Sequence, residues 1–116
     1  NLLYLPQAKV YDRSCAVGPW LVMGAKEGEV REWTIGVQIE RAGKNIFKGE
    51  TSINNIKRTF GELVDYLCRS QTFPQGVMLL TGTGVVPEDD FTLSSNDIIR
   101  VTISGIGTLE NPVAVV

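Results

Sequence analysis

From Trp33 to Glu40 the chain alternates without a break: Trp33, Ile35, Val37 and Ile39 are apolar, while Thr34, Gly36, Gln38 and Glu40 are polar or small. A period of two turns successive side chains to opposite faces of an extended strand, so one face needs cover and the other can meet water. A helix cannot use this pattern, because it would scatter the same apolar residues around its circumference. Ala42-Gly43-Lys44-Asn45 then reads as a turn and Ile46 to Gly49 as a short return strand, which makes a hairpin. Ile99, Val101 and Ile103 share one face of a second alternating strand over 98–104. Gly105-Ile106-Gly107 breaks it, and a final strand returns over 108–116.

Other segments fit around this frame. Two short strands are expected near 8–11 and 19–23, joined by the polar turn Asp12-Arg13-Ser14. Val77 to Leu80 is wholly apolar and reads as a buried strand that exits into Thr81-Gly82-Thr83-Gly84. Phe60, Leu63, Val64 and Leu67 fall at i, i+3, i+4 and i+7, one apolar face of an amphipathic helix near 57–69, with Asn54 or Asn55 as its cap. Gly24 to Arg31 and Thr51 to Asn55 read as polar loops, and Ser94 to Asp97 as a tight turn. The fold class is mainly β with one amphipathic helix, and there is no internal repeat or linker.

Composition removes several functions. With 116 residues the chain allows one domain, able to bury about 60–70% of its surface. It contains no histidine, which excludes Ser-His-Asp and Cys-His nucleophiles and imidazole metal sites from these residues. A net charge of -2 without a basic run gives no nucleic-acid footprint, and no apolar run reaches the roughly 18 residues of a membrane span. Cys15 and Cys68 lack CxxC spacing and read as buried small hydrophobes.

The candidate chemical groups each carry an ordinary reading as well. Lys9, between Ala8 and Val10, is either a pocket ammonium that offsets an enolate or carboxylate, or an edge-strand lysine reaching water. TGTG at 81–84 offers backbone N–H groups and hydroxyls to an anion, or is turn chemistry only. It is not a P-loop, because the lysine of GxxxxGK[ST] is missing, and GxGxxG does not fit. Gly49-Glu50-Thr51-Ser52 is a substrate loop or a turn feeding a helix cap. Glu88, Asp89 and Asp90 are consecutive carboxylates with no glycine to shape a cation loop, and read as solvated.

Taken in order, these segments resemble the fumarylacetoacetate hydrolase superfamily. Pro6-Gln7-Ala8-Lys9-Val10-Tyr11-Asp12-Arg13-Ser14-Cys15 is similar to the segment around its active-site lysine. Gly49-Glu50-Thr51-Ser52 resembles its loop before the helix, and Leu80-Thr81-Gly82-Thr83 its signature strand exit. Asn96-Asp97-Ile98 through Gly105-Ile106-Gly107-Thr108-Leu109-Glu110-Asn111-Pro112-Val113 resembles its closing hairpin. Gly84 stands where proline is usual, and with Ser52 and Lys57-Arg58-Thr59-Phe60 this is similar to the branch that dehydrates 2-keto-3-deoxy sugar acids. Asp12-Arg13 departs from the small residues of many members.

The resemblance implies a mixed β-roll and a divalent cation, Mg²⁺ or else Mn²⁺ or Ca²⁺, that chelates a 2-oxo acid and stabilises an enolate. It implies Lys9 as the catalytic ammonium, and Thr81, Ser52, Ser14 and Arg13 as substrate contacts. The family's metal ligands, a Glu-x-Glu pair and an Asp, lie upstream of the lysine, so none is expected in this chain; Glu27-Gly28-Glu29 is downstream and does not match. Residues 1–116 are therefore expected to be the C-terminal portion of one catalytic domain, inactive alone, and the start at Asn1 suggests a trimmed or partial chain. The implied protein is a cytoplasmic homo-oligomer acting on a small 2-oxo acid, with no nucleic-acid or membrane partner. The alternatives are an acylpyruvate hydrolase, an oxaloacetate decarboxylase, or a non-catalytic β-rich binding module.

Overall fold

In the computed structural model, which describes residues 5–82 and 84–116, the alternating segment becomes β1 (Thr34–Arg41). Residues 1–4, and Thr83 of the TGTG turn, lie outside the described residues. β1 sits inside a four-stranded antiparallel sheet, with β2 (Lys44–Ser52) on one side and β3 (Ile98–Ile103) followed by β4 (Gly107–Pro112) on the other. Ala42 and Gly43 close the β1–β2 hairpin with φ of 50° and 77°, the left-handed pair that a two-residue turn needs to match strand twist.

Residues opposite one another in an antiparallel ladder share a face. Ile35, Val37 and Ile39 stand opposite Ile103, Val101 and Ile99, so two alternating strands merge into one apolar face. Phe47, Gly49 and Thr51 extend that face across β2, and Leu109 extends it across β4. The other face is polar. There Arg100 reaches Glu40 at 2.8 Å and also pairs with Glu110, while the Thr102 and Thr108 hydroxyls meet at 2.8 Å. Both alternating strands present the expected apolar face, and β2 and β4 are the return strands expected beside them; the pairing of β1 with β3 is added by the structure.

Around the sheet the chain is less regular than expected. The 8–11 strand is replaced by α1 (Leu5–Lys9), with the Val10 N–H still donating to the Pro6 carbonyl at 2.9 Å. Residues 19–23 and 77–80 form no strand, and Leu21, Met23, Met78 and Leu80 are exposed. Short apolar runs carry no periodicity that separates strand from irregular backbone, and these runs gain no ladder partner. Gly24 to Arg31 is not all loop, because Glu27–Arg31 forms α2, with acids in its first turn and Arg31 in its last. Cys15 and Cys68 are exposed rather than buried.

The helix is shorter than the expected 57–69, although it holds the whole stripe from Phe60 to Leu67. α3 spans Phe60–Cys68, starting where the Thr59 hydroxyl accepts the Glu62 N–H at 3.1 Å. Thr59, not Asn54 or Asn55, is thus its cap. β2 also runs on through the expected loop to Ser52, after which Ile53–Asn55 forms a 3-10 turn. β4 ends at Pro112, earlier than the expected 116.

Asp97 holds the far end of the sheet. Its side chain is buried, and it accepts from Arg41 Nε at 2.8 Å, Arg41 Nη2 at 2.7 Å and the Ser94 N–H at 2.8 Å. Arg41 also donates to the Thr92 carbonyl at 2.9 Å, and the Asp97 carbonyl accepts the Val113 N–H at 2.8 Å. One residue thereby joins the end of β1, the turn into β3 and the segment after β4. The Arg41 guanidinium first, and the Ser94 N–H second, hold the Asp97 carboxyl at about 2, below its ordinary 3.8, against the opposing effect of burial. Because the folded value is depressed, this contribution to stability is present above pH 4 and is lost as pH falls toward 2.

Asp97→Asn should therefore lower the melting midpoint near pH 7, by on the order of 10 °C. The gap between variant and parent should close in denaturation scans between pH 4 and pH 2. A gap of constant size over that range would rule out the ion pair as its cause.

Candidate functional site

At the other end of the sheet, β2 runs into a cleft of about 300 Å³. The strand ends because the Ser52 hydroxyl accepts the Asn54 N–H at 3.1 Å and starts the 3-10 turn Ile53–Asn55. Asn55 Nδ2 then reaches back to the Thr51 hydroxyl at 3.1 Å, which fixes that side chain at the cleft wall.

The next residues are held from behind by α2. Arg31 Nη1 donates to the Ile56 carbonyl and Nη2 to the Arg58 carbonyl, each at 2.8 Å. Its Nε bonds Glu27 at 2.9 Å, and its guanidinium lies 5.2 Å from the centre of the Phe60 ring. Glu27 in turn accepts the Phe60 N–H, one of the first-turn donors of α3 that has no partner inside the helix. The Arg31 hydrogen bond is the main cause that draws the Glu27 carboxyl below its ordinary range; partial burial opposes it, and the Phe60 N–H adds to it. A five-residue helix is marginal alone, so α2 depends on this network as much as the network depends on α2.

Thr81, Gly82 and Gly84 line the cleft together with Thr51, Ser52 and Asn55. Gly82 has φ of 97°, a left-handed conformation that other residues rarely adopt. Lys57 and Arg58 also line it. Arg58 is paired with Glu62 at 2.6 Å, whereas Lys57 makes no ion pair among the described residues.

The structure therefore brings together Thr81 and Ser52, from two motifs distant in sequence, and adds Thr51, Asn55, Lys57 and Arg58. Lys9, Arg13 and Ser14 do not line this cleft. Lys9 is exposed at the end of α1; Arg13 is exposed in a tight turn with φ of 62°; the Ser14 N–H bonds the Tyr11 carbonyl at 3.1 Å. The added residues left a partial signal: Lys57-Arg58 stands in the run before the helix, but Asn55 reads as a helix cap until its contact with Thr51 is seen.

Among the described residues no three Asp, Glu or Cys side chains gather where they would hold a cation. Glu27 is committed to Arg31 and Phe60, and Glu88, Asp89 and Asp90 are exposed on a turn. A hard divalent cation takes several converging oxygen ligands, so these residues do not fit one.

Residues 3–114 match the family model described as fumarylacetoacetate (FAA) hydrolase C-terminal. The chain belongs to the fumarylacetoacetate hydrolase family. This family chain is 44% identical over its full length to a probable 2-keto-3-deoxyxylonate dehydratase of Haloferax volcanii, covering 40% of that protein. It is 41% identical to the 2-dehydro-3-deoxy-D-arabinonate dehydratase of Saccharolobus solfataricus, over 97% of this chain and 38% of that one. A solved 2-keto-3-deoxy-D-arabinonate dehydratase complexed with magnesium and 2,5-dioxopentanoate superposes with a TM-score of 0.91 at 40% identity, over 97% of this chain and 40% of the other. The family chain thus spans about two fifths of the length of the relatives it matches.

If Arg31 holds the cleft wall as described, Arg31→Met should raise amide hydrogen exchange across residues 56–60 roughly tenfold or more, leaving β1 and β3 amides unchanged. Equal protection in variant and parent would show that the wall stands without it.

Proposed function

We propose that residues 1–116 form the C-terminal portion of a fumarylacetoacetate-hydrolase-family catalytic domain, and that the complete protein dehydrates a 2-keto-3-deoxy sugar acid. The observation that carries this reading is the cleft lined by both Thr81, of the Leu80-Thr81-Gly82-Thr83 motif, and Ser52, at the end of β2. The names of the dehydratase relatives support the same substrate class. In such a reaction a proton leaves C3 and the C4 hydroxyl departs as water, while negative charge grows on the 2-oxo oxygen.

Within this chain, Thr81 donates to the substrate carboxylate or another substrate oxygen, and Ser52 and Ser14 offer hydroxyl contacts. Arg13 meets a carboxylate. Lys9, which with Arg13 and Ser14 lies outside this cleft, supplies the ammonium that offsets the growing charge, a role that rests on the family motif alone. The base that removes the C3 proton, and the ligands of the magnesium named for the solved relative, belong to residues upstream; the roles given to this chain do not run through the metal.

The complete protein, supplied with Mg²⁺ and a 2-keto-3-deoxy-pentonate, should release 2,5-dioxopentanoate. Lys9→Met should cut kcat roughly 100-fold with the circular dichroism spectrum unchanged. Preferred cleavage of an acylpyruvate, or decarboxylation of oxaloacetate, would move the protein to another reaction of the family. Inactivity on all three would favour a binding module.

The same reading makes the protein a cytoplasmic homo-oligomer. No helix among the described residues is long and apolar enough to cross a membrane. The chain exposes 9362 Å² where a complete monomer of its mass exposes about 6,200 Å², which fits a portion of a domain whose other residues cover it. Light scattering on the complete protein should return a mass of two or more copies, and a monomer at micromolar concentration would remove this part of the proposal.

A further inference from the structure

Gly84 approaches Thr51 so closely that a Cβ there would lie 3.1 Å from the Thr51 hydroxyl oxygen and 3.2 Å from its methyl carbon. The backbone at Gly84 is outside the left-handed region, so space and not torsion calls for glycine at this position. The neighbour that needs the space is Thr51, whose hydroxyl already accepts from Asn55 at 3.1 Å. With its oxygen engaged as an acceptor, the Thr51 hydroxyl keeps its proton free to donate into the cleft. Ser52 and Thr81 also line the cleft, as does Lys57, which makes no ion pair among the described residues. A cleft lined by three hydroxyl-bearing residues matches a ligand that is itself hydroxylated, since each hydroxyl both donates and accepts.

We propose that Thr51, oriented by Asn55 and given room by Gly84, is a specificity-determining residue that donates a hydrogen bond to the hydroxylated end of the substrate. This rests on the reading of the protein as a 2-keto-3-deoxy sugar acid dehydratase. Thr51 touches the substrate, and Gly84 is a positioning residue that acts through it. A residue at 84 with a side chain displaces Thr51 and so changes which tail the cleft accepts.

The test compares the complete protein on a 2-keto-3-deoxy-pentonate and on its 5-deoxy analogue. Thr51→Val, which keeps shape and removes the hydroxyl, should lower kcat/KM for the pentonate roughly 5- to 10-fold, with little change for the 5-deoxy compound. Gly84→Ala should reproduce that selective loss. Combining Gly84→Ala with Thr51→Val should add little to either, because both act on one hydrogen bond. Thr51→Ser removes the methyl contact at 3.2 Å and leaves a side chain free to turn its hydroxyl away from position 84, so it should restore part of the selectivity in the Gly84→Ala background.

An equal loss on both substrates, or none, would overturn the role of Thr51 and leave the dehydratase reading intact. Full additivity of the two substitutions would remove Gly84 as its positioning residue. Failure of the parent protein to turn over either compound would sink the dehydratase reading and this inference with it. A larger effect of Lys57→Met on the pentonate alone would also overturn the proposal, by assigning the tail to the cation.

Discussion

The Arg41–Asp97 pair is the constraint on which the sheet depends. A buried carboxylate is costly unless its oxygens are satisfied, and here three donors converge on it from two parts of the chain. Those donors are available together only when β1 ends beside the turn that starts β3. A slip of one residue between these strands would put Ile35, Val37 and Ile39 on the polar face and pull Arg41 away from Asp97. Hydrophobic alternation selects the face, and the ion pair selects the register. Because Val113 also bonds the Asp97 carbonyl, the closing strand is registered by the same residue.

The cleft lies at the opposite end of β1, about 20 Å away at the rise of an extended strand. There the chain leaves regular pairing, and the backbone groups freed by that departure need other partners. Arg31 satisfies two of the carbonyls and Glu27 one of the N–H groups, while Ser52 and Thr59 cap the two turns that follow β2. Each device answers a backbone demand. Their joint consequence is that Thr51, Ser52, Lys57 and Arg58 are fixed along one wall, where they can meet a ligand. Function here is built on the solution to a helix-end problem.

What was legible in the sequence follows the same physics. The faces of β1 and β3 and the hairpin could be read because periodicity reports which side of an element needs cover; the apolar stripe of α3 was legible too, though Val64 on it stays exposed. Thr81 and Ser52 could be placed in one site by motif resemblance, and the cleft brings them together. Residues 8–11, 19–23 and 77–80 could not, because a short apolar run encodes a demand for burial and says nothing of backbone conformation. Those runs, and both cysteines, remain exposed on the described chain, so the demand they encode is not met by the sheet alone. α2 was hidden for the opposite reason. Its stability comes from contacts with residues 56–60 and not from an apolar stripe of its own.

Glycine shows most clearly how a motif can be visible while its physical content is not. Gly84 and Gly105 look alike in the sequence, each inside a Gly-rich turn. At Gly105 a Cβ would fall 2.0 Å from the Trp33 ring, a rigid group just before β1, so the requirement there is structural: the β3–β4 turn folds directly onto an indole. At Gly84 the contact is with a small hydroxylated side chain in the cleft, at a distance where a neighbour can yield by a few tenths of an ångström. A substitution at the first disturbs the fold, whereas one at the second moves a single functional group. The difference lies in which side chain stands opposite, and only the strand register, with Thr51 paired to Ile35 at the mouth of the cleft, supplies that information.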